Sequence, residues 1–297
     1  MPINYDQLKN WTFEDRTDTY SVRDSMIYAL TLGYADDLSC PDDLRYVYER
    51  DTLAVPTMLA TIGAPGAWAT NPVLGINWVK LLHGEHRMRF HARVRPEASV
   101  TSRTRVTRVV DKGADKGALV VTEREISDAA DGTLVATVEH VSFCRADGGF
   151  GQGDEAPQAL PRVPQDEPAA VVALKTTTQA AALYRLNGDL NPIHLLPDMA
   201  RKAGFDRPIL HGLCTYGMAA RGLIRLFCPV NPERMKSFAV RFSAPFYPGE
   251  TLVIEAWQRG HMVHFRALSR ERSLVVLDNG VAEIEIDLAR ESRHAGA

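Results

Sequence analysis

No apolar run in this 297-residue chain approaches the roughly 18 residues that a membrane-spanning helix needs. The opening Met1-Pro2-Ile3-Asn4-Tyr5-Asp6 lacks a basic stretch followed by an apolar one, so no signal peptide is expected. Cysteine is scarce: Cys40, Cys144, Cys214 and Cys228 stand far apart, and without a CxxC pair neither zinc nor dithiol chemistry is expected. Charge of one sign is also missing. The 34 basic and 37 acidic residues leave a net charge of −3, which argues against a protein that coats nucleic acid. With no Gly-x-Ser-x-Gly elbow and no glycine-rich phosphate loop, serine acyl transfer and nucleotide chemistry lack support. The expectation is a globular protein of a reducing compartment, with the cytoplasm as default. The tail Ser292–Ala297 is not the Ser-Lys-Leu peroxisomal address.

What is present is 45% apolar and 24% charged residues, enough for a real core in one large domain or two of about 150 residues. Residues 145–168 carry Gly148, Gly149, Gly151, Gly153, Pro157, Pro161, Pro164 and Pro168 among few large apolar side chains, a linker composition. The expected division is residues 1–145, a linker at 146–168, and residues 169–297.

In the first part, Val22, Met26, Ala29 and Leu30 fall at helical spacing between a capping Ser21 and a terminating Gly33. From Arg87 to Arg95 apolar and basic residues alternate, as in a half-buried strand. Leu119–Glu125 and Leu134–Cys144 read as further strands about the turn Asp131-Gly132. In the second part a helical pattern runs from Leu213 to Phe227. Strands follow at Ser237–Phe242, Thr251–Gln258, Met262–Ser269, Ser273–Leu277 and Val281–Leu288, with turns at Tyr247–Glu250 and Asp278-Asn279-Gly280. One long helix followed by antiparallel strands suggests an α+β fold with the helix wrapped by a curved sheet. A short echo links the parts: Leu81-Leu82-His83-Gly84-Glu85 precedes the first part's strands and Ile209-Leu210-His211-Gly212-Leu213 precedes the second part's helix.

The densest chemistry lies between Tyr184 and Tyr216. Asp189, Asn191 and His194 crowd together with Gly188 and Pro192. Pro192 suits a first helical turn with Asn191 as its cap, placing Asp189 on the incoming loop and His194 in the turn. A carboxylate and an imidazole on one corner can share one water, which general acid–base catalysis requires. The bland alternative is a turn with side-chain caps. Gly212 at the start of the long helix adds backbone N–H groups and a positive dipole end that favour developing negative charge.

Those residues carry a resemblance. Tyr184–His194, Ala203-Gly204-Phe205 and Pro208–Cys214 resemble the signature of the MaoC-like (R)-specific 2-enoyl-CoA hydratases, in the two-domain hydratase 2 form found in peroxisomal multifunctional enzymes. Tyr46–Glu49, Leu81–Glu85, Asp111-Lys112-Gly113, Gly148–Gly151, Val240–Phe242 and Pro248–Leu252 resemble the same family in the same order. The resemblance implies a double hot-dog fold, with a non-catalytic N-terminal hot dog shaping an acyl pocket and a catalytic C-terminal one. It implies reversible hydration of trans-2-enoyl-CoA to (R)-3-hydroxyacyl-CoA without a cofactor or metal, and a homodimer. By motif match Asp189 and His194 hold the water, Asn191 positions the site and the Gly212 N–H binds the thioester oxygen. Tyr184 and His211 match positions near the pocket, and His83, Gly84, Lys112 and Phe242 match positions that contact the CoA ester. Glu49 reads either as a third acid or as an ordinary strand-end carboxylate. Three positions depart from the family pattern: Leu196 stands where an Asp is usual, Asn187 replaces a Ser, and Leu32-Gly33-Tyr34 replaces Gly-Val-Gly. The lost Asp removes a possible support for His194.

Arg87, Arg89, Arg93, Arg95, Arg103, Arg105 and Arg108 are favoured as a solvated strand face over a CoA-phosphate site, whereas Lys112 lies in the family-like phrase. Cys214 reads as a small core residue rather than a nucleophile. The rival functions are an acyl-CoA thioesterase and a catalytically relaxed acyl-CoA-binding protein.

Overall fold

The structure, a computed structural model, describes residues 3–285. Its helices are α1 (Tyr5–Lys9), α2 (Val22–Thr31), α3 (Pro41–Leu44), α4 (Ala180–Tyr184), α5 (Pro197–Lys202) and α6 (Gly212–Phe227). In the first half the strands are β1 (Arg16–Tyr20), β2 (Leu81–Phe90), β3 (Ala98–Asp111), β4 (Ala118–Asp128) and β5 (Leu134–Cys144). The second half supplies β6 (Ala170–Lys175), β7 (Met235–Phe242), β8 (Thr251–Arg259), β9 (Met262–Ser269) and β10 (Leu274–Ile284). All ten join one sheet in the order β1-β3-β4-β5-β2-β7-β10-β9-β8-β6. Each half of the chain therefore contributes five consecutive strands, and β2 meets β7 at the seam, antiparallel, from Glu85↔Arg241 to Arg89↔Ser237. This is the double hot-dog expected.

Local sequence explains most boundaries. Ser21 and Asp24 form a reciprocal capping box that starts α2, and Gly33 at φ +89° follows its end. In α6 every residue from Cys214 to Ile224 is buried, so this helix is the centre of a core that draws on both halves. Two expectations need correction. Pairing in β2 stops at Phe90, because the amides of His91 and Ala92 both turn to the Val135 carbonyl; residues 91–95 leave the sheet although their alternation persists. Asp278-Asn279-Gly280 is not a turn. It is a bulge inside one continuous strand, with Asn279 at φ +51° and the register slipping against both neighbours. The last residues of the strand expected to Leu288 lie outside the described residues, as does the tail Ser292–Ala297.

The crossing at residues 145–169 contains no helix or strand, yet it is tied down. Asp154 accepts from Tyr5, Lys9 and the Val109 amide, Asp111 accepts from the amides of Gly149 and Gly151, and Trp257 donates to the Asp166 carbonyl. A second tie runs through the core. Arg221 of α6, fully buried, reaches Asp43 at 2.6 Å, Asp36 at 2.8 Å and the Leu32 carbonyl at 3.2 Å. The arginine-rich surface is a solvated face: Arg87 pairs with Glu85 and Glu139, Arg89 with Glu283, Arg93 with Glu233, Arg95 with Asp128, Arg103 with Asp15 and Arg105 with Glu123.

Candidate active site

The corner forms as its residue types dictate. The Asn191 amide donates to Asp189 Oδ1 at 3.1 Å, and Asn191 Oδ1 accepts from the Ile193 amide at 3.1 Å, capping the short turn Pro192–His194. Asp189 and Asn191 stay exposed while His194 is buried. His194 Nδ1 lies 2.9 Å from the Ile209 carbonyl. A carbonyl only accepts, so Nδ1 carries the proton and Nε2 keeps a free lone pair. His211 stacks on His194 with ring centroids 3.7 Å apart, and its Nε2 donates to the Asp189 backbone carbonyl at 3.2 Å. Polar atoms of Asp189, His194 and His211 all fall within 4.8 Å of one another. Tyr184, buried, closes one side with its ring 5.0 Å from His211.

Burial pushes the His194 imidazole below its ordinary range, with the Ile209 carbonyl and the Asp189 charge opposing. Burial, then the neighbouring His194, brings His211 down to about 4. Both rings are thus neutral near pH 7.

Gly212 opens the 16-residue α6 behind His211, where an α-helix has no carbonyls of its own for its first amides. A Cβ there would sit 3.2 Å from Phe242 Cε1, so glycine leaves the backbone approachable beneath that ring. Phe242 stacks toward His83 at 4.3 Å; the two His-Gly phrases differ in conformation but meet on this one aromatic side chain. Gly84 is the bulged residue of β2, and a Cβ on it would meet the Val141 carbonyl at 3.1 Å and Phe143 at 3.6 Å. Lys112 Nζ stands 5.0 Å over the Phe143 ring. The structure therefore gathers Asp189, Asn191, His194, His211, Tyr184, Gly212, Phe242, His83, Gly84 and Lys112 along one end of the seam.

Glu49 is not brought there. It lines a surface cavity of about 350 Å³ with Val22, Arg45, Leu53, Arg93 and Pro96. Arg93 also borders a second cavity of about 290 Å³ with Phe90, Val94, Pro232 and Met235, at the opposite end of β2. Leu196 needs a second correction. It is the exposed N-cap of α5 and gives no side-chain cap, while the support for His194 comes from the Ile209 carbonyl. The missing Asp is thus a missing helix cap. Burial raises the Cys214 thiol far above its ordinary range, so it offers no thiolate. Sequence reasoning missed Arg221, whose signal was a cation on the apolar face of a helical pattern, among buried neighbours on both sides. It also missed the partners of His83, namely His86 and His140.

Fold and site together define a MaoC-type double hot-dog protein. The description "MaoC like domain" matches residues 160–279 and "MFE-2 hydratase 2 N-terminal domain" matches residues 19–146. The probable enoyl-CoA hydratase 2 of Dictyostelium discoideum is 35% identical over 275 residues, covering 89% of this chain and 90% of that protein. Peroxisomal multifunctional enzyme type 2 of Mus musculus is 34% identical over 276 residues, covering 90% of this chain; the chain spans only 37% of that longer relative. A solved MaoC-like dehydratase from Phytophthora capsici superposes with a TM-score of 0.84 at 33% identity, covering 96% of this chain and all of that one. The chain belongs to the MaoC-like enoyl-CoA hydratase 2 family. No helix among the described residues is long and apolar enough to cross a membrane.

Proposed function

We propose that this chain is an enoyl-CoA hydratase of acyl-CoA metabolism, adding water across a trans-2-enoyl-CoA to give the (R)-3-hydroxyacyl-CoA. The observation that carries the reading is the convergence of Asp189, the free Nε2 of His194 and the Gly212 helix start at one end of the seam, in a chain of this family. The water sits between Asp189 and His194. Asp189 accepts a hydrogen bond from it and fixes its orientation, while His194 Nε2 takes the water's other hydrogen as a proton and the remaining O–H adds to C3. Electron density moves through C2 onto the thioester oxygen, where the α6 start and its Gly212 N–H meet the charge. The proton held on His194 then passes to C2 from the same face. Water is consumed whole, nothing is oxidised or reduced, and the step calls for no cofactor. Asn191 and Ile209 act by holding Asp189 and His194 in place. Phe242, His83, Gly84 and Lys112 stand where the ester and its CoA would approach.

The test is to incubate the purified chain with crotonyl-CoA and longer enoyl-CoAs and analyse the product. The proposal expects the (R)-3-hydroxyacyl-CoA with no free thiol. Stoichiometric free thiol without hydration would establish a thioesterase, and tight binding without turnover would establish a binding protein. Light scattering on the same sample reads the homodimer, which belongs to this proposal.

A further inference from the structure

A second histidine cluster lies beside the proposed catalytic corner, and the proposed reaction does not use it as a set. His83 and His86 both stand on β2, three residues apart. In a regular strand such a pair points to opposite faces. The bulge at Gly84 inserts one extra residue between His83↔Ser142 and Glu85↔Val141, which brings both rings to one side. His140 of β5 is the direct cross-strand partner of His86 and completes the group. The His83 and His140 rings stack at 3.9 Å, and the His83 and His86 rings meet edge-on at 5.1 Å. One ligating nitrogen from each of the three lies within 4.8 Å of the others.

The nitrogens themselves are the second observation. His86 is 2% exposed, packed edge-on against Tyr216 of α6, and neither of its ring nitrogens has a hydrogen-bond partner. His83 Nε2 is buried and unpartnered as well. Buried polar atoms are normally hydrogen-bonded, so these orphans point to a missing partner; a shared ion would engage His83 Nε2 and one of the two His86 nitrogens. The catalytic corner is only partly engaged: His194 Nδ1 rests on the Ile209 carbonyl and His211 Nε2 on the Asp189 carbonyl, while His211 Nδ1 and the Tyr184 hydroxyl are also buried without a partner.

We propose that His83, His86 and His140 form a binding site for a single divalent transition-metal ion of the zinc class at the seam between the two halves. Three imidazoles and no carboxylate or thiolate suit zinc or its neighbours in the series rather than calcium or magnesium, with a fourth position left for water. Metal ligation takes the neutral ring, and burial holds all three rings well below their ordinary range, His140 down to about 4. Arg124 opposes the ion: its charge reaches His86 and His140, although its Nη2 points to the Leu59 and Ala60 carbonyls. The site is accordingly weaker than a thiolate site. Because His83 rests on Phe242, and Phe242 on Gly212, an ion there touches the wall of the proposed thioester site without entering it.

The experiment titrates the chelator-treated full chain with Co²⁺ alone and reads visible absorbance. One Co²⁺ per chain with the intense bands of a four-coordinate, nitrogen-bound ion is expected, displaced by Zn²⁺. Zn²⁺ also raises the thermal midpoint of the unaltered chain. His86→Gln and His140→Phe lose the bands, the second keeping an aromatic ring against His83, and His194→Gln keeps them. Absent bands and an unmoved midpoint in the unaltered chain overturn the proposal and leave the nitrogens to buried water. Bands that survive both cluster variants but vanish in His194→Gln also overturn it, because the ion then sits at the catalytic corner. The proposal stands or falls independently of hydratase activity.

Discussion

Burial lowers the basicity of His194, and the Ile209 carbonyl fixes which nitrogen bears the proton, so the ring presents an unprotonated Nε2 at neutral pH. Acid must therefore switch the reaction off rather than on. The value of kcat/KM is expected to fall on a limb centred below the ordinary imidazole value of 6.5, and a limb centred above it would contradict the assigned role. Asp189→Asn and His194→Gln are each expected to cut turnover by about 10²–10⁴-fold, with unfolding curves that match the parent. The residue pattern around Asp189, Asn191 and Pro192 was legible because capping chemistry is local: a short polar side chain before a proline leaves few conformations. The stacking of His211 on His194 was not legible, since 17 positions separate them and only the approach of residues 208–211 to the corner joins them.

At the scale of elements, helix and strand periodicity located α2, α6 and most strands to within a few residues. It failed where the backbone breaks its own period. The bulges at Gly84 and at Asp278–Gly280 read in sequence as a strand's approach and as a turn, because an extra unpaired residue leaves no mark on alternation until the partner strand is known. Leu196 is a similar case. Its departure from the family pattern looked catalytic in sequence, yet it occupies the N-cap of α5 and points no polar group at His194. Leu196→Asp is expected to stabilise the protein by about 1 kcal/mol through the α5 amides, while kcat/KM stays close to parental. Chemical denaturation and steady-state rates on one variant check both halves of that statement. A large rise in kcat/KM would return Leu196 to the active site.

For the whole molecule, the seam carries the unusual chemistry. Arg221 ties α6 to Asp43 and Asp36 from the other half, and Asp43 is itself buried. Removing the cation by Arg221→Met leaves that carboxylate without its partner, and the expected loss is about 3–5 kcal/mol in denaturant unfolding. A loss no larger than that of a surface substitution would show that the tie contributes little. Histidine burial sets the response to acid. His83, His86, His140, His194 and His211 are all pulled below 6.5 in the folded chain, His140 and His211 to about 4. Below 6.5 the unfolded chain binds protons that the folded chain refuses, so stability is whole above that value and falls as the pH drops toward about 4. Urea midpoints at pH 7 and pH 5 test the sign. The composition gave no warning of this, because nine histidines in 297 residues is unremarked until five of them converge on one seam.

The most direct test follows the loss of enoyl-thioester absorbance when the purified chain meets crotonyl-, octenoyl- and longer enoyl-CoA, with Asp189→Asn in parallel. The account predicts rapid loss with at least one chain length that nearly disappears in the folded variant. Equal rates in parent and variant, or no loss at any chain length from a folded parent, would contradict it.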